Sequence, residues 1–171
     1  MTSLAIEDLT ILVDTREQLP FQFVIKDKPV RTESATLTTG DYTVRGLEEI
    51  CCVERKSLDD LMGCIGNSRD RFERELKRML GFPKRMVVVE APWDIIKEGN
   101  YRAKIHPKAA VGSIIGWMEM GIPFFFASGE TEAAQIAGNF MFICANRRFR
   151  ELQAFSECMT SMKSSVKQKH S

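Results

Sequence analysis

The chain has 171 residues, 44% hydrophobic and 27% charged, and its 24 lysines and arginines nearly balance 23 aspartates and glutamates for a formal net charge of +1. That length suits a single domain with a conventional core. The charge balance excludes a generally polycationic nucleic-acid binder, so affinity for a polyanion must come from a local patch.

Five cysteines, Cys51, Cys52, Cys64, Cys144 and Cys158, form no C-x-x-C pair and sit largely in apolar runs. This is the pattern of reduced thiols in a cytoplasmic protein. The first nine residues carry no basic stretch followed by an apolar one, so no secretory signal is expected. No uncharged apolar run approaches the roughly 20 residues that span a bilayer, and a soluble intracellular chain without a membrane partner is the expectation.

In chain order, residues 9–13 form an apolar run rich in branched residues and predict a buried strand ending at Asp14. Residues 18–29 read as a loop anchored by Phe21 and Phe23. Residues 32–44 alternate loosely and predict two strand segments meeting at Gly40. Residues 50–56 predict another strand. Ser57 then caps a helix beginning at Leu58, with Asp60 as the acidic partner of a capping box. Asn67 opens a second helix reaching Leu80, closed by Gly81 and Pro83, with Phe72, Leu76, Met79 and Leu80 on one face.

Residues 86–91 predict a strongly apolar strand. Pro107 fits the first turn of a helix running to Met120 and stopped at Gly121. Residues 123–127 predict a further buried strand, and Trp117 and Met118 read as core. His106 reads as a helix-entry residue. A long helix is predicted over 130–152, followed by a polar tail, 156–171, that frays. Strands leading into alternating helices and strands imply an α/β domain with a mixed central sheet flanked by helices.

Within this frame Gly40-Asp41-Tyr42 and Glu54-Arg55-Lys56 carry the chemistry. Strand alternation sends Glu54 and Lys56 to one face and Arg55 to the other. Asp41, at a glycine-marked turn, can join Glu54 as a pair of hard oxygen ligands of the kind that suits Mg²⁺ or Mn²⁺. Asp-(x)n-Glu-x-Lys is the pattern of the PD-(D/E)xK nucleases. Taken alone it also describes an exposed strand with alternating charges. Arg71, Arg74 and Arg78 recur at helical spacing and can track a phosphate backbone. A solvated face with Arg71–Glu75 and Glu73–Lys77 pairs explains them equally well.

Further segments stand in register with that pair. Val13-Asp14-Thr15-Arg16-Glu17, then Gly40-Asp41-Tyr42, then Glu54-Arg55-Lys56-Ser57-Leu58-Asp59-Asp60 together resemble the nuclease domain of the XPF family. The likeness is greatest to its short stand-alone bacterial and phage members. The resemblance spans about residues 9–152 and implies a restriction-endonuclease-like fold, with residues 1–155 as the nuclease domain.

It implies catalytic roles for Asp14, Arg16, Asp41, Glu54, Lys56 and Asp60. Asp14, Glu17, Asp41 and Glu54 would form the metal shell and Arg16 would grip the phosphate, while Arg55 and the helically spaced Arg71, Arg74 and Arg78 are the further DNA contacts expected from the residues themselves. It further implies a metal-dependent endonuclease acting at branched DNA in repair or recombination, and a homodimer. Larger relatives carry a tandem helix-hairpin-helix module that nothing after Leu152 supplies. A non-catalytic DNA-binding subunit, or a nuclease for another nucleic acid, are the alternative readings.

Overall fold

The computed structural model describes residues 3–168, with side-chain surroundings through residue 161. Six strands form the main sheet in the order β4-β1-β5-β6-β7-β8. They are β1 (Thr10–Asp14), β4 (Arg31–Ala35), β5 (Tyr42–Val44), β6 (Cys51–Lys56), β7 (Lys84–Val89) and β8 (Phe124–Phe126). A hairpin of β2 (Val24–Ile25) and β3 (Lys28–Pro29) stands apart. Among the described residues, besides a short 3-10 turn at Ile6–Asp8, the α-helices are α1 (Leu58–Ile65), α2 (Arg69–Met79), α3 (Trp93–Glu98), α4 (Pro107–Glu119) and α5 (Glu130–Gln168). The expected mixed α/β architecture is present.

The sheet has two packed faces, each the product of strand alternation. Ile11, Val13, Tyr42, Val44, Cys51, Val53, Met86 and Val88 meet Ala133, Ala137 and Met141 of α5. Cys52, Val87 and Val89 meet Leu61, Phe72, Leu76, Ile114 and Trp117 on the opposite side. β6, β7 and β8 run parallel, so their C-terminal ends lie together at one end of the sheet.

Several local expectations need correction. The two segments of 32–44 do not meet at Gly40, since β4 ends at Ala35 and β5 begins only at Tyr42. β1 inserts between them, parallel to β4 and antiparallel to β5. The 18–29 loop buries Phe21 and Phe23 as expected, but it also makes the β2–β3 hairpin. That hairpin turns on Lys26 and Asp27 at φ 48° and 61°, a left-handed turn without the glycine that normally announces one.

Asn67 does not cap α2, because Ser68 occupies the N-cap position and no side-chain cap bond forms. The helix α3 was not foreseen, its six residues being too few to show a period. β8 is an edge strand, so Phe125 is exposed rather than buried, and Met118 also lies outside the core. The last helix does not stop at Leu152 but continues to Gln168, and residues 154–161 are all exposed. Residues 169–171 of the expected tail lie outside the described residues. His106 does enter α4, accepting a bond from the Lys108 N–H. Among the described residues no helix is long and apolar enough to cross a membrane.

Candidate active site

The site begins with the pleat of β6. Lys56 leans toward α2, its ammonium 5.2 Å from the centre of the Phe72 ring. Arg55 leans the other way, its guanidinium 4.1 Å from the centre of Phe21 and 3.7 Å from Glu130 at the start of α5. The predicted alternation is therefore observed.

Asp41 is brought to β6 by Gly40. This residue has φ +79°, and a Cβ there would lie 2.6 Å from Cys52 Sγ and 3.0 Å from the Val53 carbonyl oxygen. Only glycine allows that approach. The Asp41 N–H then donates to the Val53 carbonyl at 2.9 Å, and its own carbonyl accepts from Asp14 N–H at 2.8 Å. Its Oδ2 accepts from the Arg55 N–H at 2.7 Å. Asp41 is thus fixed beside Glu54 by main-chain bonds.

Glu54 is only 2% exposed. Its Oε1 accepts from the Lys56 ammonium, while Oε2 is buried and has no hydrogen-bond partner. Burial, reinforced by the Asp41 and Glu75 charges, pushes Glu54 up to about 8 against the pull of Lys56. Burial likewise pushes Asp41 up to about 6, with Glu17 and Glu75 adding to the effect and the Arg55 N–H and Lys56 opposing it. Lys56 is itself desolvated, which disfavours its charge, but Glu54 and Asp41 outweigh that and hold it above the ordinary lysine range. Lys56 is therefore held in its ammonium form beside Glu54 and Asp41.

A buried carboxylate oxygen without a donor is costly unless a cation completes it. Among the described residues no group of three His, Cys, Asp or Glu side chains is arranged to hold a metal. Two carboxylates are nevertheless the usual protein share for Mg²⁺, which takes its remaining ligands from water and substrate phosphate. Asp41 and Glu54 fit that share, and the unpartnered Glu54 Oε2 supports the fit.

The other expected residues are placed around this pair. Asp14 does not join it, since both of its oxygens are engaged. Oδ1 accepts from Arg16 N–H at 2.9 Å and Nε at 2.6 Å, and Oδ2 from Arg16 Nη2 at 3.0 Å and Leu37 N–H at 2.8 Å. Four bonds fill the carboxylate's acceptor sites. Burial raises the Asp14 pKa, but the bonds from Arg16 and Leu37 prevail and hold it below the usual range. Asp14 thereby aims Arg16, whose side chain is 71% exposed.

Glu17 turns to Leu19 N–H at 3.1 Å and to Arg55 at 3.7 Å. Asp60 completes the capping box, its N–H bonding Ser57 Oγ at 3.1 Å and its Oδ2 accepting from that hydroxyl at 2.6 Å. With Glu17, Arg55, Ser57 and Glu90 it lines a neighbouring pocket of about 220 Å³. Arg55, expected at DNA, is 14% exposed and engaged by Glu90, Glu17 and the Leu19 carbonyl.

Arg71, Arg74 and Arg78 do form an exposed stripe on α2. Neither anticipated helix pair forms. Glu73 instead lies 2.9 Å from Arg69 and accepts from Trp117 Nε1 at 3.4 Å. Glu75 was overlooked. It is half-buried on α2, and its charge acts on Asp41, Glu54, Lys56 and Arg16. Its spacing from Phe72 was the available signal, because i and i+3 share a helix face.

A six-stranded mixed sheet bearing a buried Glu54, a half-buried Asp41 and Lys56 at the end of a central strand is the framework of a PD-(D/E)xK nuclease. The ERCC4 domain model matches residues 13–140, and the chain belongs to that family, as an XPF-type nuclease domain. Among solved structures it is similar to XPF from Aeropyrum pernix, with a TM-score of 0.60 and 17% identity, covering 85% of this chain and 69% of that one. The same archaeal protein in complex with DNA also matches, with TM-score 0.60 and 17% identity over 80% of this chain and 64% of that one. These likenesses establish the fold. Comparison with curated protein sequences returned no match.

Proposed function

We propose that the chain is a divalent-metal-dependent endonuclease that hydrolyses phosphodiester bonds in DNA, with Asp41 and Glu54 holding Mg²⁺ or Mn²⁺. The observation that carries the reading is the buried Glu54 Oε2, which has no donor although the Lys56 ammonium is beside it and the Asp41 carboxylate adds like charge. A bound divalent ion supplies Lewis-acid polarisation of the phosphate and lowers the pKa of water for attack. The remaining work falls to the protein. Lys56, kept protonated by Glu54, is set to donate to the attacking water or to the charge that develops on phosphorus-bound oxygen. Arg16, whose Nε–Nη2 edge is held by Asp14 and the Leu37 carbonyl, offers its remaining Nη1 side to the flanking phosphate. Arg71, Arg74 and Arg78 extend the phosphate track along α2.

The preferred substrate is branched DNA at single- to double-strand junctions in repair or recombination, a reading that follows the family. Dimerisation is proposed through the groove of about 460 Å³ lined by Met86, Phe125, Ile136, Phe140 and Ile143, which joins the edge strand β8 to α5. Four buried, reduced cysteines suit a cytoplasmic setting. The test is cleavage of labelled flap, fork, duplex, single-stranded DNA and RNA with Mg²⁺, Mn²⁺ or chelator. Cutting of branched DNA only with a divalent ion is the expected result. Binding without cutting under every condition would leave a non-catalytic subunit, and preferential cutting of RNA would reassign the substrate.

A further inference from the structure

α2 faces the site with one side and solvent with the other. Phe72 seats the Lys56 ammonium on its ring, and one turn further along the same face stands Glu75. Glu75 is half-buried, and it makes no hydrogen bond and no ion pair among the described residues, although Arg71 and Arg78 are near it in sequence. Glu73, its neighbour on the helix, is by contrast fully used by Arg69 and Trp117. An acidic side chain on the border of a core face, without a partner among the described residues, is available to a further ligand. The buried, unpartnered oxygen of Glu54 shows that the region it faces is already short of a cation.

Charge counting points the same way. Asp41 and Glu54 against Lys56 leave one formal negative charge. Adding Glu75 leaves two, the complement of one divalent ion. We propose that Glu75 is a third acidic group of the metal site, one that would hold a water of the ion's shell from α2. Neither the Asp-(x)n-Glu-x-Lys pattern nor the comparisons assign it this role. The inference rests on Asp41 and Glu54 being the metal pair.

The test is titration of Mn²⁺ into the DNA-free full chain, followed by calorimetry, for wild type, Glu75→Gln, Glu75→Asp, Glu73→Gln and Asp41→Asn, with circular dichroism on each. Groups that orient a metal's shell typically change affinity by about 10- to 100-fold, and Glu75→Gln should weaken Mn²⁺ binding by about that factor. Glu75→Asp should recover most of it, and Glu73→Gln should bind as wild type. Cleavage by Glu75→Gln should return toward the wild-type kcat at high Mn²⁺, a recovery that a merely structural defect would not show. Wild-type affinity in Glu75→Gln alongside loss in Asp41→Asn would overturn this proposal alone. Equal loss in Glu75→Gln and Glu75→Asp with an altered spectrum would also overturn it, as a folding defect. Wild-type affinity in Asp41→Asn, or no uptake by any form, would overturn the metal pair itself.

Discussion

At the end of β6 adjacent residues face opposite sides of the sheet, so substitutions at Arg55 and Lys56 should separate chemistry from stability. Lys56→Met removes the ammonium beside Glu54 and should slow cleavage by about 10²- to 10³-fold, the scale of one lost transition-state donor, with intact fold. Arg55→Met strands Glu90, whose side chain is 14% exposed, and should cost about 2 kcal/mol of stability. Denaturant unfolding and single-turnover cleavage of both variants check this. Equal rate losses at unchanged stability would contradict the assignment. That contrast was legible in the sequence because it depends only on strand alternation. Glu75 was not legible, because its relation to Lys56 depends on how α2 lies across the sheet. Asp14 was expected in the metal shell, but its carboxylate is filled by Arg16 and Leu37, and the Leu37 bond depends on the 36–41 loop folding back.

Among the elements, the turn before β5 sets the site most directly. Gly40→Ala introduces a Cβ at 2.6 Å from Cys52 Sγ and forces alanine to φ +79°. The combined clash and strain should cost about 2–4 kcal/mol, and cleavage should fall further than stability does because Asp41 moves with the turn. Thermal unfolding and kcat/KM measure the two effects. A variant as stable and active as wild type would show that the turn relaxes without moving Asp41. Most strands and helices could be predicted from apolar period and capping residues, as with Ser57 and Pro107. Strand partners could not. Placing β1 between β4 and β5 is a long-range choice, made where Ile11 and Val13 bury against α5. The exposure of Phe125 likewise follows from β8 taking the edge of the sheet, which no local pattern of three phenylalanines reveals.

For the whole molecule, a net charge of +1 and one exposed arginine stripe limit the grip on DNA. Each phosphate neutralised contributes about −0.9 to the slope of log K against log salt, so Arg16, Arg71, Arg74 and Arg78 predict a slope of about −3 to −4 per protomer. Affinities for flap, fork and duplex across a salt series measure it. A much steeper slope would reveal a binding surface beyond these four arginines. Pairing through Phe125 and Ile143 would double the contacts. Light scattering should then give twice the 19.4 kDa chain mass, and Ile143→Glu should return the monomer. A wild-type monomer would remove the groove from the binding scheme.

The central claim is that hydrolysis depends on a divalent ion held by Asp41 and Glu54, and a Mg²⁺ titration of flap cleavage by wild type and Glu54→Gln addresses it most directly. Wild type should show saturable activation by Mg²⁺ and complete loss with chelator. Glu54→Gln should be slower by about 10³-fold or more at every Mg²⁺ concentration while melting no lower than wild type. Cutting by Glu54→Gln at the wild-type rate, or wild-type cutting that survives chelator, would contradict it.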